Sequence, residues 1–400
     1  MKIIITGASG VVGRDLVPAF LARGAQLLLV GREPSRLAKL FPSVECTSYA
    51  ELTQHAKGYD GLLHLAVLNN NVAASAEEFV HANTDLTASL VDIAKQAGIA
   101  RFVYMSTTQA LDDRNRSSYA TSKRTASNAV LAAQGVETRV IYPSAIVGDQ
   151  LNGRLALLNA ASPSLRKGLL ELYSAITPVA DHAAVATACW NALNAPDFPQ
   201  QTVVSRDQSK NSAFLWIKRC TDVLVALAIL VPFCWLLVAI WLAVKLQSRG
   251  PGIFAQERVG QDGRIFTCFK FRTMAQDSPN VGTHEASTSL VTPLGKVLRS
   301  TKLDELPQAI NILLNQMSLV GPRPSLPNQA QVISEREKLG VLTVKPGITG
   351  LAQVKKVDMS QPATLAQWDA QYVQLRSLRL DLSIALQTLR GKGGGDAMAP

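Results

Sequence analysis

The sequence lacks the cysteine spacing, the basic runs and the leader pattern that mark several classes of protein. Its five cysteines are scattered and form no CxxC pair, which excludes a disulfide framework and a zinc site and favours a reducing cytosol. There is no run of five or more basic residues and no DNA- or RNA-binding motif, so we expect no nucleic-acid partner. The first residues, MKIIITGASG, carry no apolar leader or cleavage site, so we expect the first domain to stay in the cytoplasm.

The composition is rich in apolar residues and carries an excess of positive charge. Hydrophobic residues make up 47% of the 400 positions, which predicts a local apolar segment rather than disorder. The formal net charge of +10 suits anionic lipid headgroups or nucleotide diphosphates. The length predicts two or three domains, because one domain usually has roughly 100 to 200 residues.

Residues 1–195 alternate short apolar runs with helix-like stretches. The runs KIIIT, AQLLLV, GLLHLA, ARFVYMS and TRVIYP are typical of strands. Strands that alternate with helices predict an α/β fold with a Rossmann-like, doubly wound parallel sheet. The polar, proline-bearing stretch 196–212 is predicted as a linker, followed by a second domain over 213–390 and a disordered tail over 391–400.

One segment is long and apolar enough to enter a membrane. Residues 223–244 are 22 positions without a charge, which at 1.5 Å per residue cover a hydrocarbon core of roughly 30 Å. Basic residues flank both ends, Arg219 before the segment and Lys245 after it, and this places both ends in the cytoplasm. Pro232 near the middle favours a bent, re-entrant helix; a straight span that tolerates the proline is the alternative.

A glycine-rich turn follows the first predicted strand. Gly7, Gly10 and Gly13 in TGASGVVG permit a tight turn, close approach to a pyrophosphate and close packing of the next helix. An ordinary strand-to-helix turn is the alternative. Arg32 follows the second strand, where a basic residue accommodates a 2′-phosphate. The pattern therefore predicts NADP, in preference to NAD, as a cofactor.

A tyrosine and a lysine lie one helical turn apart in YATSK. Tyr119 and Lys123 share one face of a helix at this spacing. A nearby lysine lowers the pKa of a phenol toward a useful acid–base range. The pair is therefore predicted to take part in proton transfer.

With the glycine turn, with DGLLHLA ending at Ala66 and with RFVYMST, residues 1 to about 190 resemble the extended short-chain dehydrogenase/reductase family. That family modifies nucleotide sugars. The resemblance implies that Ala66 lies at the cofactor, that Tyr119 is the general acid or base and that Lys123 holds the nicotinamide ribose. It also implies that Thr107 bonds the reacting oxygen; a hydroxyl that only caps the next turn is the alternative.

Two departures from this family narrow the expected activity. The 4,6-dehydratases carry an acidic residue directly after the threonine, whereas this chain continues Thr108-Gln109. We therefore expect NADP-dependent 4-keto reduction or 4-epimerisation of a nucleotide sugar rather than dehydration. The region after Pro143 is short for a substrate lobe, so a domain that binds cofactor or nucleotide sugar without turnover is the alternative.

The motif LDELPQ sets two carboxylates before a predicted helix. Asp304 and Glu305 precede Pro307, whose fixed φ suits a first helical turn, and apolar residues recur at helical spacing from Leu306 to Met317. The partial positive charge of a helix N-terminus either holds a phosphate beside these carboxylates or only stabilises the carboxylates.

Two arginines favour the phosphate interpretation. Arg299 lies five residues before Asp304, and Arg323 lies between two prolines in GPRP, which stiffen its backbone. A guanidinium held in place offers a planar pair of donors to phosphate oxygens. Carboxylates and arginines beside an apolar segment indicate phosphoryl transfer at a membrane.

The motifs QERVG, FKFRTM, LDELPQ, MSLVGPRP and KPGITGLAQV stand in the order seen in the polyprenyl-phosphate phosphoglycosyl transferases, the bacterial sugar transferase family. The resemblance implies a small, mainly helical α/β domain with a re-entrant helix. In that family the helix breaks at a Ser-Pro pair, whereas here Val231 precedes Pro232. The resemblance also implies that Asp304 attacks a UDP-sugar and releases UMP, and that undecaprenyl phosphate then displaces the aspartate.

The resemblance gives roles to the remaining charged residues. Glu305 would bind Mg²⁺ together with Asp304 or accept a proton from the lipid phosphate, and Mg²⁺ suits hard oxygen ligands and diphosphates. Binding of phosphate or substrate falls to five further positions: Arg299, Arg323, Lys270, Arg272 and Asp369. For Lys270 and Arg272, solvated or lipid-facing charges are the alternative.

Both halves are thus expected to use a cytoplasmic nucleotide sugar. A straight span would place one of them on the side of the membrane opposite to this nucleotide sugar. We therefore expect a bacterial inner-membrane protein with both domains on the cytoplasmic face, in contact with membrane lipids. The chain reads QVKKVD from Gln353 where the transferase family often has QVNGR, and the sequence does not identify the sugar. A homodimer is left open.

Overall fold

The computed structural model describes residues 1–68, 74–148, 151, 153–275 and 290–391. Apart from Gly391, the predicted disordered tail lies outside the described residues. The chain divides into two units, the first made of Met1–Arg166 and Pro178–Arg206, the second of Lys167–Thr177 and the chain from Asp207 onward.

The first unit is built on a seven-stranded sheet. Its order is β3-β2-β1-β4-β5-β6-β9, with every neighbouring pair parallel. The strands are β1 (Lys2–Thr6), β2 (Gln26–Gly31), β3 (Glu45–Ser48), β4 (Gly61–His64), β5 (Arg101–Met105), β6 (Glu137–Pro143) and β9 (Gln201–Val204). A separate parallel pair joins β7 (Ala145–Val147) to β8 (Val179–Asp181).

Helices pack on both faces of this sheet because its strands are apolar on both sides. Successive residues Ile3, Ile4 and Ile5 are fully buried and belong alternately to two hydrophobic clusters. The helices are α1 (Val11–Leu21), α2 (Pro34–Leu40), α3 (Leu52–His55), α4 (Ala76–Val80), α5 (Leu86–Gln96), α6 (Ser118–Ala132) and α8 (His182–Asn194). A further helix, α7 (Pro163–Ile176), lies mostly within Lys167–Thr177 and so belongs largely to the second unit. The prediction of a Rossmann-like, doubly wound parallel sheet is confirmed.

Four residues of the stretch predicted as a linker, 196–212, belong to the sheet. Strand β9 pairs in parallel with β6, with Val140 opposite Gln201 and Pro143 opposite Val204. The β-branched run Thr-Val-Val suits an edge strand, although prolines and polar residues on either side obscure it in the sequence.

The second unit begins with two helices that form a bent pair. They are α9 (Ser212–Leu230) and α10 (Cys234–Gln247), and their axes differ by 62° at the break. The predicted apolar segment 223–244 is therefore divided at Pro232, which supplies no backbone donor to a continuous helix. In the part of the chain that the structure describes, no single helix is long and apolar enough to cross a membrane, whereas this bent pair passes by length and composition.

Charged side chains fasten α9 to the rest of the second unit. Lys218 Nζ donates to Asp381 Oδ2 at 2.5 Å, and Arg219 donates to the carbonyl of Ile312 at 2.7 Å. Asp222 Oδ1 accepts from the backbone N–H of Leu319 at 2.9 Å. These bonds fix the direction in which α9 leaves the unit.

The remainder of the second unit is mainly helical, as predicted. An antiparallel hairpin pairs β10 (Ile253–Val259) with β11 (Ile265–Phe271), and a short parallel pair joins β12 (Ser318–Val320) to β13 (Gly347–Thr349). The helices are α11 (Pro293–Thr301), α12 (Gln308–Leu313), α13 (Ala330–Lys338), α14 (Leu351–Val354), α15 (Pro362–Leu375) and α16 (Leu378–Leu389).

Candidate functional site

The carboxylate pair lies in a 3₁₀ turn, Leu303–Glu305, between α11 and α12. Lys302 takes a left-handed φ of 58° and ends α11, so the chain reverses just before Asp304. Glu305 Oε1 accepts hydrogen bonds from Lys270 Nζ and from Arg323 Nη1, both at 3.2 Å. The turn thus places a carboxylate pair against cations from β11 and from the GPRP loop.

The two carboxylates have opposite electrostatic environments. Burial alone would raise the pKa of Glu305, but the direct contacts of Lys270 and Arg323 lower it to about 2. Burial, and then the negative charge of Glu305, raise the pKa of Asp304 to about 6. At neutral pH both are ionised, and Asp304 is the more basic of the two and the one whose charge is less compensated.

Arg299 belongs to the same cluster. It lies in the last turn of α11, and its Nε donates to Thr273 Oγ1 at 2.9 Å. Burial lowers the pKa of Arg299, while the nearby charge of Asp304 raises it. The structure therefore brings together four of the predicted residues, Asp304, Glu305, Lys270 and Arg323, with Arg299 within electrostatic range of Asp304.

Arg272 is neither a solvated charge nor a member of this cluster. It is 7% exposed, and its guanidinium donates to the carbonyls of Ser248 and Arg249 and to Ser248 Oγ. These acceptors follow the last turn of α10, where backbone carbonyls have no partner within the helix. Arg272 therefore caps α10, and the predicted choice between phosphate and solvent omitted this role.

Asp369 lies in α15 and bonds to a residue that the sequence analysis missed. Arg336 in α13 donates to Asp369 Oδ2 through Nε at 3.0 Å and through Nη2 at 2.7 Å. Both side chains are 2% exposed. The carboxylate predicted to contact substrate is thus occupied by an internal arginine, and the segment SEREK around Arg336 gave no signal beyond a solvated helix face.

The carboxylates of this cluster are the candidate ligands for a magnesium ion. Among the residues that the structure describes, no group of three or more His, Cys, Asp or Glu could hold a metal. Glu305 Oε1 already meets two cations, which leaves Asp304 as the better placed carboxylate. Mg²⁺ is ordinarily held through one or two carboxylates together with substrate phosphates, so the residues fit an ion that arrives with a diphosphate.

A cavity of about 380 Å³ opens at the carboxyl ends of the strands of the first unit. All five predicted cofactor positions outside YATSK line it: Gly7, Gly10, Gly13, Arg32 and Ala66. Gly7 has a φ of +76°, and a Cβ there would lie 2.5 Å from the Ala66 nitrogen. The glycine is thus required by both conformation and space, and the turn fits a dinucleotide.

Charged side chains line this cavity after the end of β2. Arg36 in α2 and Tyr49 line it with Arg32, and neither was predicted from the sequence. Glu33 lines it as well. A basic residue here suits a 2′-phosphate and an acidic one suits a ribose hydroxyl, so the lining is compatible with either dinucleotide.

The Tyr119–Lys123 pair differs from its prediction in one respect. Burial raises the pKa of Tyr119, with a smaller lowering from a hydrogen bond with Thr107. Lys123 Nζ instead donates to the Met105 carbonyl at 2.7 Å and lies 4.3 Å from the Tyr104 ring centroid, and burial lowers its pKa to about 7. The expected lowering of the phenol pKa by Lys123 is therefore wrong, because the amine points into the sheet.

Thr107 has the capping role that was the alternative in its prediction, while its bond to the reacting oxygen stays a prediction. Its side chain accepts from the Gln109 N–H at 3.3 Å and so caps the following 3₁₀ turn. The Thr107 hydroxyl also lowers the pKa of Tyr119, so a hydroxyl and a phenol lie near each other beyond the end of β5.

Family comparisons agree with the division of the chain into two units. The model of the NAD dependent epimerase/dehydratase family matches residues 3–202, and that of the bacterial sugar transferases matches 213–392. A UDP-glucose:undecaprenyl-phosphate glucose-1-phosphate transferase of Caulobacter vibrioides is 39% identical over 183 residues, which are 43% of this chain and 68% of that protein. The chain belongs to both families.

Relatives of the transferase unit differ in the sugar that their names state. An Aeromonas hydrophila relative, 36% identical over 44% of both chains, is a UDP-N-acetylgalactosamine-undecaprenyl-phosphate N-acetylgalactosaminephosphotransferase. This chain thus spans about two thirds of the first relative and less than half of the second. On the epimerase-like unit, a UDP-N-acetylglucosamine 4-epimerase structure from Bacillus cereus superposes over 51% of this chain and 78% of that one, with 18% identity and a TM-score of 0.41.

Proposed function

We propose that the transferase unit moves a phosphosugar from a UDP-sugar to undecaprenyl phosphate and releases UMP. The observation that carries the proposal is the unequal carboxylate pair. Glu305 is held ionised by Lys270 and Arg323, whereas Asp304 keeps a raised pKa of about 6 among the same cations. A basic carboxylate beside cations suits attack on a phosphorus whose oxygens those cations neutralise.

The reaction would proceed in two displacements. Asp304 attacks the phosphorus next to the sugar, the bond from that phosphorus to the UMP oxygen breaks, and UMP leaves with the bonding electrons. An oxygen of the lipid phosphate then attacks the same phosphorus and displaces the Asp304 carboxylate. Arg299, Lys270 and Arg323 would bind phosphate oxygens throughout.

Magnesium would join this site through Asp304 and the substrate diphosphate. When bound, a hard divalent cation offsets the negative charge that develops on the phosphate oxygens. Lys270 and Arg323 would orient the diphosphate and keep Glu305 ionised. Glu305 would accept a proton from the lipid phosphate only if its contacts with these two cations opened.

We also propose that the bent helix pair enters the membrane from the cytoplasmic side and returns. Several large apolar side chains on it are exposed: Leu224, Leu227, Trp235, Val238 and Leu242. Such a surface suits lipid rather than water. Both units would then face the cytoplasmic pool of nucleotide sugars.

For the epimerase-like unit we propose NADP-dependent reduction or epimerisation of a nucleotide sugar. When bound, the nicotinamide supplies or accepts the hydride, while Tyr119 exchanges the proton and Thr107 bonds the reacting oxygen. The engagement of Lys123 with the Met105 carbonyl favours a second candidate, a unit that binds cofactor or nucleotide sugar without turnover.

The transferase proposal is tested by UMP release from purified protein in detergent with Mg²⁺, undecaprenyl phosphate and either UDP-glucose or UDP-N-acetylgalactosamine. We expect Asp304→Asn to lose more than about 1,000-fold in rate, since it removes the nucleophile. Asp262→Asn is the matched control, because Asp262 is exposed and its left-handed φ of 55° tolerates asparagine. Equal rates in the wild type and Asp304→Asn would refute the assignment.

A further inference from the structure

A buried ion pair lies behind the arginine that holds Glu305. Arg336 and Asp369 are joined by two hydrogen bonds of 2.7 and 3.0 Å, and each side chain is 2% exposed. Arg336 has one further donor group in use: its Nη1 donates to the backbone carbonyl of Arg323 at 2.8 Å. The pair therefore touches the catalytic cluster through a backbone atom.

The loop that carries Arg323 is fastened at three consecutive residues. Gly321 N donates to the Thr349 carbonyl at 2.9 Å, and the Pro322 carbonyl accepts from Gly347 N at 2.8 Å. Arg336 holds the third residue, Arg323. A Cβ at Gly321 would lie 2.5 Å from a backbone oxygen, so the loop packs tightly on the strand beside it.

At the other end of its side chain, Arg323 reaches the carboxylate pair. Its Nη1 donates to Glu305 Oε1 at 3.2 Å, and its charge acts on Asp304 as well. A continuous series of contacts thus leads from Asp369 through Arg336 and the Arg323 backbone to Glu305.

Stability alone gives a weak reason for such a pair. Replacing a buried ion pair by apolar residues of similar volume is often neutral or stabilising, because desolvation of the charges offsets their attraction. An apolar pair, however, cannot donate a hydrogen bond to the Arg323 carbonyl, as Arg336 does.

We propose that Arg336 and Asp369 are positioning residues, which hold the Arg323 backbone so that its guanidinium meets Glu305 and the substrate diphosphate. This rests on the proposed transferase function and replaces the predicted contact of Asp369 with substrate. Asp369 orients Arg336, Arg336 fixes the Arg323 carbonyl, and Arg323 then stays within reach of Glu305.

The test compares single-turnover UMP release, without lipid phosphate, in Arg336→Lys, Asp369→Asn and the apolar pair Arg336→Met/Asp369→Leu. We expect each to lower the rate constant by about 10- to 100-fold, the usual effect of misplacing a catalytic group by about 1 Å. The rate constant is measured over a range of UDP-sugar concentrations, and we expect its maximal value to fall without a matching rise in the concentration that gives the half-maximal rate.

The maximal rate constant separates positioning from folding. A lower folded fraction reduces the amplitude of the reaction but leaves the rate constant of the folded molecules unchanged, whereas a misplaced Arg323 lowers that rate constant. Glu335→Gln on the same helix α13 is the control: Glu335 pairs with the exposed Lys338 at 2.6 Å, and we expect the rate constant and the amplitude of the wild type.

Two results would overturn the proposal. One is an apolar pair variant with the maximal rate constant of the wild type, which would make the ion pair purely structural. The other is an Asp369→Asn variant that needs more UDP-sugar for its half-maximal rate but keeps the maximal rate constant, which would restore a substrate contact. Absence of Asp304-dependent UMP release in the wild type would instead refute the proposed function itself.

Discussion

At the scale of single residues, the buried and charged surroundings of Asp304 predict how the transferase activity depends on pH. Burial and the charge of Glu305 raise the pKa of Asp304 to about 6. The attacking form is the carboxylate, so activity should be present above that pKa and be lost as pH falls through it. Glu305, with a pKa of about 2, stays ionised over the same range.

We therefore expect single-turnover UMP release to be constant above about pH 7 and to fall about tenfold per pH unit below about pH 6, as one proton is bound. Lipid phosphate is omitted because a phosphate monoester itself titrates near pH 6. The measurement is rapid-quench detection of UMP across pH 5 to 8. A rate that stays level down to pH 5 would contradict the raised pKa of the nucleophile.

Gly7 provides a second prediction at this scale. Gly7→Ala and Gly24→Ala both place a Cβ at a positive φ, +76° and +77°, which costs roughly 1 kcal/mol of the free energy of unfolding. At Gly24 no atom lies within 4 Å of the new Cβ, whereas at Gly7 the Ala66 backbone lies at 2.5 Å. Gly7→Ala should therefore lose NADPH binding, which Gly24→Ala should keep, and should unfold several degrees below Gly24→Ala.

Thermal unfolding and fluorescence titration with NADPH measure both effects. Gly24→Ala carries the same backbone strain without a close neighbour. The difference between the two variants therefore measures the effect of the contact between residue 7 and the Ala66 backbone. Equal melting temperatures and equal affinities would show that the Gly7 turn does not shape the cofactor cavity.

The sequence is informative about residues whose role is local and silent about those that act through other residues. Gly7 and Arg32 could be predicted because the turn and the strand end are contiguous in sequence. Arg336 could not, since its role depends on Asp369, 33 residues away, and on one backbone carbonyl. Arg272 was misassigned for the same reason: its acceptors lie at the end of α10.

At the scale of elements, apolar periodicity predicted the parallel sheet and Pro232 predicted the bend of the helix pair, whereas the ends of some elements were predicted wrongly. The helix expected to run on to Met317 ends at Leu313, because the chain turns through Asn315 with a left-handed φ of 64°. Strand β9 was missed because its partner β6 lies about 60 residues earlier. Local pattern carries no information on such pairing.

The break at Pro232 gives a prediction for the helix pair. Pro232→Leu restores a backbone donor and a helix-forming residue, so α9 and α10 should straighten and part of the population should cross the membrane. The measurement uses inside-out vesicles that contain the protein with a C-terminal tag. After protease treatment, the fraction of tag that is protected gives the fraction of molecules that cross the membrane. Val231→Leu keeps the proline and should behave as wild type; an unprotected tag in Pro232→Leu would refute the role of the proline.

At the scale of the whole molecule, the fusion of the two families suggests consecutive steps on one nucleotide sugar. In the proposed order the epimerase-like unit finishes the sugar and the transferase unit loads it onto lipid. Separate residues would then control separate steps, Tyr119 in one unit and Asp304 in the other. The alternative, a binding unit without turnover, leaves only the second step.

The full-length Tyr119→Phe variant separates these two cases. Since the phenol would exchange the proton that accompanies hydride transfer, we expect Tyr119→Phe to lose oxidation of NADPH with UDP-4-keto sugars by at least about 100-fold. UMP release from a finished UDP-sugar should match the wild type, because Asp304 and its cations are unchanged. Phe79, which packs edge-on against the Tyr119 ring at 6.3 Å, should hold the new ring in place. If the wild type binds NADPH but neither oxidises it with these sugars nor epimerises a UDP-sugar, the unit is a sensor, and Tyr119→Phe should then leave every rate of the protein unaltered.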